Sequence, residues 1–180
     1  MTLPLRKPGV AVSLLAAAAL VLSACAPLVV STSVERGVDL SAYRTYGWST
    51  RPAQSTGDPR LDGNRFFHEY LAASIDRQLA ETRLKQVSGE PDLFVRYFAG
   101  VSQEIVESGA EPDGRCRDCQ RDVYDRGTIV IDFVDARSRT LVWRGWAKGG
   151  IDGAIDDQRL MQRRIDDAVA RIFERLRRDL

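Results

Sequence analysis

The chain has 180 residues, 44% of them hydrophobic, which is enough for one ordinary domain with a real core plus a targeting segment. Its 26 Lys and Arg residues nearly balance its 25 Asp and Glu residues, so the chain has no strong positive electrostatic field that would attract a polyanion. We therefore expect a single domain and exclude nucleic acid from its expected partners.

The first 24 residues have the pattern of a secretory signal peptide. Arg6 and Lys7 form a positively charged start, residues 10–22 form an apolar run, and small residues follow. The run is too short to predict a membrane span, which needs roughly 20 apolar residues. We therefore predict that residues 1–24 are a signal peptide that is cleaved on export.

The four residues "LSAC", which end at Cys25, resemble the lipobox of bacterial lipoproteins. In that motif the cysteine is lipidated and becomes the first residue of the mature chain. Two or more acyl chains anchor a protein stably, since each buried methylene contributes roughly 0.8 kcal/mol. Ala26 follows, where an aspartate would favour the inner membrane, so we expect a lipid anchor in the outer membrane and a domain facing the periplasm. The other interpretation is an ordinary secreted protein whose signal ends in cysteine.

The mature chain begins with a short connecting segment. Residues 25–38 are predicted to hold the lipidated cysteine, a tether and a possible first strand at 29–34. The aromatic stretch "YRTYGW" predicts a second strand inside a single periplasmic domain that covers 39–180. Residues 49–64 are rich in Ser, Thr, Pro, Gly and Asp, which predicts a loop.

Residues 65–82 predict an amphipathic helix, because apolar residues recur every four positions. Asn64 lies where its side chain can cap the start of that helix. The alternating stretch "DLFVRYFAGV" then predicts a strand, and residues 102–126, with seven acidic residues, predict a long polar excursion. The apolar positions of the helix are Phe67, Leu71, Ile75 and Leu79.

Residues 127–150 hold two β-rich runs around the polar turn "DARSR", which predicts a hairpin. Residues 156–178 repeat apolar side chains at helical spacing and predict a second amphipathic helix. The order is therefore strand, strand, helix, three strands, helix. We predict an α+β two-layer sandwich, with a mainly antiparallel sheet of four to five strands and two helices packed on one face.

Four stretches carry a family resemblance: "DLSAYRTYGW", "AASIDRQLAETRL", "PDLFVRYFAGV" and "GTIVIDFVDARSRTLVWRGWAKGGID". Together they span most of the mature chain and resemble the bacterial lipoprotein family that carries the domain of unknown function numbered 4136. The resemblance implies an envelope lipoprotein with an αβ domain and no assigned catalytic residues. We accordingly expect neither an enzyme nor a bound cofactor.

The motif "CRDC" places Cys116 and Cys119 three residues apart in the polar excursion. Such a pair can bind zinc, cycle as a redox pair, close into a disulfide or bond to another chain. A zinc site usually needs four ligands, and His68 on the first helix is the sole histidine, so no metal is expected. A local disulfide is favoured in an oxidising envelope. The alternative function is a small-ligand or metal-binding module that uses this excursion.

Strand alternation predicts the two faces of the hairpin. If Phe133 lies opposite Trp143, the same register pairs Asp132 with Arg144, Val130 with Trp146 and Val134 with Val142. One face then suits packing under the helices and holds Ile129, Ile131, Phe133, Leu141 and Trp143. If Leu93, Val95 and Tyr97 turn toward the same core, Phe94, Arg96 and Phe98 join the opposite face.

This opposite face is too apolar for a monomer to leave bare without reason. One interpretation is an intramolecular cover, formed by the tether, the polar excursion or the loop 49–64. The other is a partner-binding groove in which aromatic side chains anchor and arginines orient the partner. On that basis we expect a non-enzymatic lipoprotein that binds or supports an envelope partner. The candidate partner-binding residues are Phe94, Arg96, Phe98, Arg144 and Trp146.

Overall fold

A six-stranded sheet and three α-helices make up the part of the chain that the computed structural model describes, residues 28–49, 56–110 and 116–180. The side chains of residues 106–121 lie outside the description. This mixed architecture agrees with the predicted α+β class. The sheet is larger than the four to five strands predicted from the sequence.

The chain order of the elements follows the prediction with two additions. The strands are β1 (Val29–Val34), β2 (Thr45–Trp48), β3 (Lys85–Gln86), β4 (Leu93–Ala110), β5 (Cys116–Asp135) and β6 (Leu141–Gly150). The helices are α1 (Pro59–Asp62), α2 (Arg65–Ala80) and α3 (Gln158–Asp179). The sequence pattern missed β3 and α1, because neither is long enough to show a hydrophobic period.

The sheet order is β1-β6-β5-β4-β2-β3. The pairs β1–β6, β6–β5 and β5–β4 are antiparallel, whereas β2 lies parallel to both β4 and β3. The tether predicted before the domain therefore ends as an edge strand of the sheet. The predicted signal peptide and Cys25 lie outside the described residues.

The described parts of the predicted polar excursion continue the sheet. β4 and β5 pair from Leu93 opposite Asp135 as far as Ala110 opposite Cys116. In this extension, the arm, Val123 is 55% exposed, and the next residue Tyr124, which points to the other face, is 40% exposed. Two paired strands make their inter-strand backbone hydrogen bonds with each other, and so they need no apolar face when both faces are exposed to water. The sequence of the arm therefore lacks the alternation by which strands are recognised.

Both long helices begin at a side-chain cap, and the first of these caps is the predicted Asn64. The Asn64 side chain accepts a hydrogen bond from the Phe67 amide at 3.1 Å, and Asp157 accepts two from the first turn of α3. The helices join each other through Asp166, which accepts hydrogen bonds from Tyr70 at 2.7 Å and Ser74 at 2.8 Å. Their apolar sides share one core with the sheet. Among the described helices, none combines the length and apolarity that a membrane crossing requires.

The register of the β5–β6 hairpin largely confirms the predicted pairs. Phe133 lies opposite Trp143, with ring centroids 5.0 Å apart, and both side chains are fully buried. The same register pairs Asp132 with Arg144 and Val130 with Trp146.

One predicted pair is wrong. Val134 lies opposite Leu141 and not opposite Val142, because the register shifts at the turn end of the hairpin. An extra residue in one strand moves the side chains that follow it to the opposite face of the sheet. Val142 is consequently buried in the core, where Leu141 had been expected.

A buried tyrosine links β2 to α2, and its ionisation lowers the stability of the folded state at alkaline pH. The Tyr46 hydroxyl donates to Asp76 Oδ1 at 3.3 Å, and the Trp48 indole donates to the same oxygen at 3.0 Å. Burial raises the pKa of Tyr46 to about 12, and the charge of Asp76 adds to the increase. An unfolded tyrosine titrates near pH 10, at about its model value. The unfolded chain therefore loses this proton first, and stability falls as the pH rises above about 10.

We predict that Tyr46→Phe makes this alkaline loss of stability shallower, because the variant has no hydroxyl proton to lose on unfolding. Urea unfolding at several pH values between 8 and 11.5 measures the free energy of unfolding. Tyr43, whose pKa burial also raises to about 12, accounts for part of the remaining slope. An identical slope in the unaltered chain and the variant would contradict the assignment to Tyr46.

Candidate functional site

The outer sheet face is the surface of β4, β5 and β6 that points away from the helices. Strand pairing arranges its side chains in three rows, each crossing all three strands. The rows are Phe94–Val134–Leu141, Arg96–Asp132–Arg144 and Phe98–Val130–Trp146. All five predicted partner-binding residues therefore lie on one continuous surface.

The middle row is an ion cluster around one buried carboxylate. Asp132 is fully buried, and Arg144 donates to it through Nε at 2.6 Å and through Nη2 at 2.8 Å. Arg96 donates through Nε to Asp132 Oδ2 at 3.0 Å. The hydrogen bonds to Asp132 raise the pKa of Arg144 above its usual value. Two guanidinium groups share one carboxylate, so the cluster has a net charge of +1.

Aromatic rings flank the cluster and hold the cations in place. The Arg96 guanidinium carbon lies 5.3 Å from the centroid of the Phe98 ring, and that of Arg139 lies 4.8 Å from the Phe94 ring. Both distances fall within the range of cation–π attraction. Phe94, Phe98 and Trp146 are each half-buried, so part of each ring is open to solvent. The surface thus combines fixed cations with apolar contact area.

Two of the predicted intramolecular covers run in the plane of the sheet. β1, which contains the tether, pairs with β6 as an edge strand, and the described parts of the polar excursion extend β4 and β5. The third, the loop 49–64, is described at Ser49 and from residue 56 onward. Thr56 O accepts from the Val101 amide at 2.7 Å, and Leu61 is in the core. Residues 50–55 lie outside the description.

A cleft of about 670 Å³, open to solvent, adjoins the Phe94 end of the outer sheet face. Arg137 and Arg139 from the β5–β6 turn line it together with Pro91. The turn is held by Asp135, whose carboxylate accepts from the Ser138 amide at 2.7 Å, and this bond lowers the pKa of Asp135. Sequence reasoning missed these arginines, although "DARSR" places them beside the end of the strand that pairs with Phe94.

The Cys116 and Cys119 side chains lie outside the described part, so the predicted disulfide stays a prediction. Their backbone begins β5 at a register irregularity, since Ala110 pairs with Cys116 while Ser108 pairs with Gln120. Among the described residues, no three His, Cys, Asp or Glu side chains are grouped to hold a metal ion.

We predict that Asp132→Asn lowers the free energy of unfolding by about 1.5–3 kcal/mol, the usual contribution of hydrogen bonds to a charged group. The amide keeps the shape of the carboxylate but leaves two guanidinium groups without their shared anion. The control is Glu69→Gln, which removes an exposed i,i+4 pair with Arg65 and should change stability by less than about 0.5 kcal/mol. Equal effects in urea unfolding would show that the cluster contributes no more than a surface pair.

Several solved structures are similar to this chain at low identity. A PDZ domain protein from Parabacteroides distasonis is 15% identical with a TM-score of 0.44, and the match covers 69% of this chain and 31% of that one. The chain thus spans about a third of that protein. The PelC dodecamer from Paraburkholderia phytofirmans is 11% identical with a TM-score of 0.42, over 81% of this chain and 94% of that one.

A homologue of neuraminyllactose-binding hemagglutinin from Helicobacter pylori is 15% identical with a TM-score of 0.43, over 73% of this chain and 81% of that one. No curated protein matches the chain. The family comparison is extensive, because it covers five of the six strands completely, all of β1 except Val29, and almost all of both long helices. The chain belongs to the DUF4136 family, a domain of unknown function that matches residues 30–176.

Proposed function

We propose that this protein is a non-enzymatic lipoprotein, anchored in the outer membrane through Cys25, whose periplasmic domain binds an envelope partner through the outer sheet face. The observation that carries the proposal is the Arg96–Asp132–Arg144 cluster with partly exposed Phe98 and Trp146 in the adjoining row. Aromatic and arginine side chains that are already held in place are the residue types most often found at binding hot spots.

The chemistry of the face favours a partner surface with carboxylate groups among apolar side chains. The ion cluster has one positive charge in excess, and Arg139 adds another beside Phe94. Asp132 already aligns Arg96 and Arg144, so an acidic partner does not have to immobilise flexible side chains. The exposed parts of the rings offer contact area that loses water on binding.

The position of β1 supports a binding site close to the membrane. Val29 begins this edge strand four residues after Cys25, and the strand pairs with β6, which carries Arg144 and Trp146. Four extended residues reach at most about 14 Å. A lipid on Cys25 would therefore hold this edge of the sheet near the bilayer surface, where proteins of the same membrane are available as partners.

We predict that a photo-crosslinking amino acid at Phe98 captures a defined envelope protein in living cells. The matched control position is Phe66, which is also half-buried but lies on α2, on the other side of the sheet. Adding Trp146→Ser should reduce the Phe98 adduct at least about fivefold, since an aromatic hot spot contributes 1 kcal/mol or more. Thermal unfolding of this variant distinguishes lost binding from lost folding. Equal adducts at Phe66 and Phe98 would contradict a partner specific to this face.

We also predict that the chain incorporates labelled palmitate in bacteria and that Cys25→Ser abolishes the label. Cys116→Ser is the control, because it removes a cysteine of the same chain and should leave the label and the outer-membrane fractionation unchanged. Label retained in Cys25→Ser would place the acyl group elsewhere and remove the anchor from the proposal.

A further inference from the structure

The two edge strands of the sheet are protected unequally against pairing with another chain. The edge strand β3 has two residues, one of which is Lys85, and both short length and a charged side chain discourage such pairing. The other edge strand, β1, has six residues of sequence "VVSTSV", with no charge, proline or glycine. Among the described residues, no segment pairs with the open side of β1. This strand therefore offers an unprotected edge to a further strand.

The outward-facing backbone groups of β1 belong to Val30, Thr32 and Val34. The Glu35 amide donates to Val142 O at 2.9 Å, on the β6 side. Bonding directions alternate along an antiparallel strand, so the odd-numbered residues of β1 bond to β6 and the even-numbered residues face away from it. Each even-numbered residue presents one N–H and one C=O group, which leaves three donors and three acceptors for another strand.

The sequence of this edge is the same in both directions. Residues 30–34 read Val-Ser-Thr-Ser-Val, a palindrome centred on Thr32. In an antiparallel pairing of two copies about Thr32, Val30 of one copy lies opposite Val34 of the other. Outward-facing residues then meet outward-facing residues, and the two strands form six hydrogen bonds with each other. A twofold interface requires this kind of self-complementary surface.

The side chains of β1 suit the same pairing. On the helix side of the sheet, Thr32 would meet Thr32 of the second copy, and Val30 would cover Val34, which is 38% exposed in the single chain. On the outer side, Ser31 would lie opposite Ser33 of the second copy. Cross-strand Thr and Ser pairs stabilise sheets, and no like charges meet within residues 30–34.

We propose that two copies of this protein pair along β1, antiparallel and centred on Thr32, so that two six-stranded sheets become one continuous sheet. Three residue pairs form a small interface, and two anchors in one membrane strengthen it by raising the local concentration. That step rests on the lipid anchor proposed above. The two Val29 residues would lie about 20 Å apart along the strands. Tethers that each reach at most about 14 Å can place both anchors in one bilayer.

Cysteine pairs test the register in living cells. The reporter chains are Val29→Cys and Glu35→Cys, at exposed positions, with tags of different size and with Cys116 and Cys119 both replaced by Ser. In the proposed register position 29 lies opposite position 35, at a Cα separation of about 4.5 Å that a disulfide can bridge. Either chain alone places its two cysteines about 20 Å apart, which is too far. Co-expression should therefore give a mixed dimer on a non-reducing gel, and neither chain alone should give a dimer.

Two charge variants, each made in both reporter chains, test the pairing at a second place. Ser31→Glu with Ser33→Glu puts like charges opposite each other twice and should lower the mixed dimer at least about fivefold. Ser31→Lys with Ser33→Glu puts opposite charges at the same positions and should restore it. Both side chains are exposed, and thermal unfolding shows whether each variant is folded.

Three results would overturn the proposal. They are the absence of a mixed dimer in folded chains, equal dimer formation by either reporter chain alone, and equal dimer formation by the two charge variants. Labelled palmitate in the same cells separates the pairing from the anchor. A labelled chain without the mixed dimer contradicts the pairing, whereas a mixed dimer without the label supports the pairing and contradicts the anchor.

Discussion

The pairing of Phe133 with Trp143 across the β5–β6 hairpin is the interaction on which the rest of the structure depends. Since neighbouring residues of a strand point to opposite faces, burying these two rings under the helices places Asp132 and Arg144 on the other side. β4 then brings Arg96 against the same carboxylate. A slip of one residue would put the ion cluster in the core and both rings in water, so core packing and the geometry of the outer sheet face are determined together.

Periodic apolar residues were sufficient to predict this hairpin, both long helices, and three of the four residue pairs proposed across the hairpin. The Asn64 cap of the first long helix was also predicted. The register shift at Leu141 could not be predicted, because one inserted residue leaves no periodic signal. The long arm of β4 and β5 was not predicted as strands, for a different reason. Both of its faces meet solvent where its side chains are described, and polar residues occur on both faces, so the stretch resembles a loop in sequence.

In the candidate site too, the sequence pattern predicts the positions of some residues, whereas others depend on the three-dimensional arrangement. Phe94, Phe98 and Trp146 could be assigned to one face by parity alone. The cation–π contact of Arg139 with Phe94 depends on the shape of a turn. Because a fold of this kind does not specify an activity, function has to be argued from these surfaces.

The central claim is that the outer sheet face is covered by a partner in the envelope and open in the isolated protein. Hydroxyl-radical footprinting of intact cells and of purified protein measures this directly, with buried Trp143 and 40% exposed Tyr124 as internal references. The account predicts that Phe98 and Trp146 are oxidised in the purified protein and protected in cells, while both references react alike in the two samples. Equal oxidation of Phe98 and Trp146 in cells and in purified protein would contradict it.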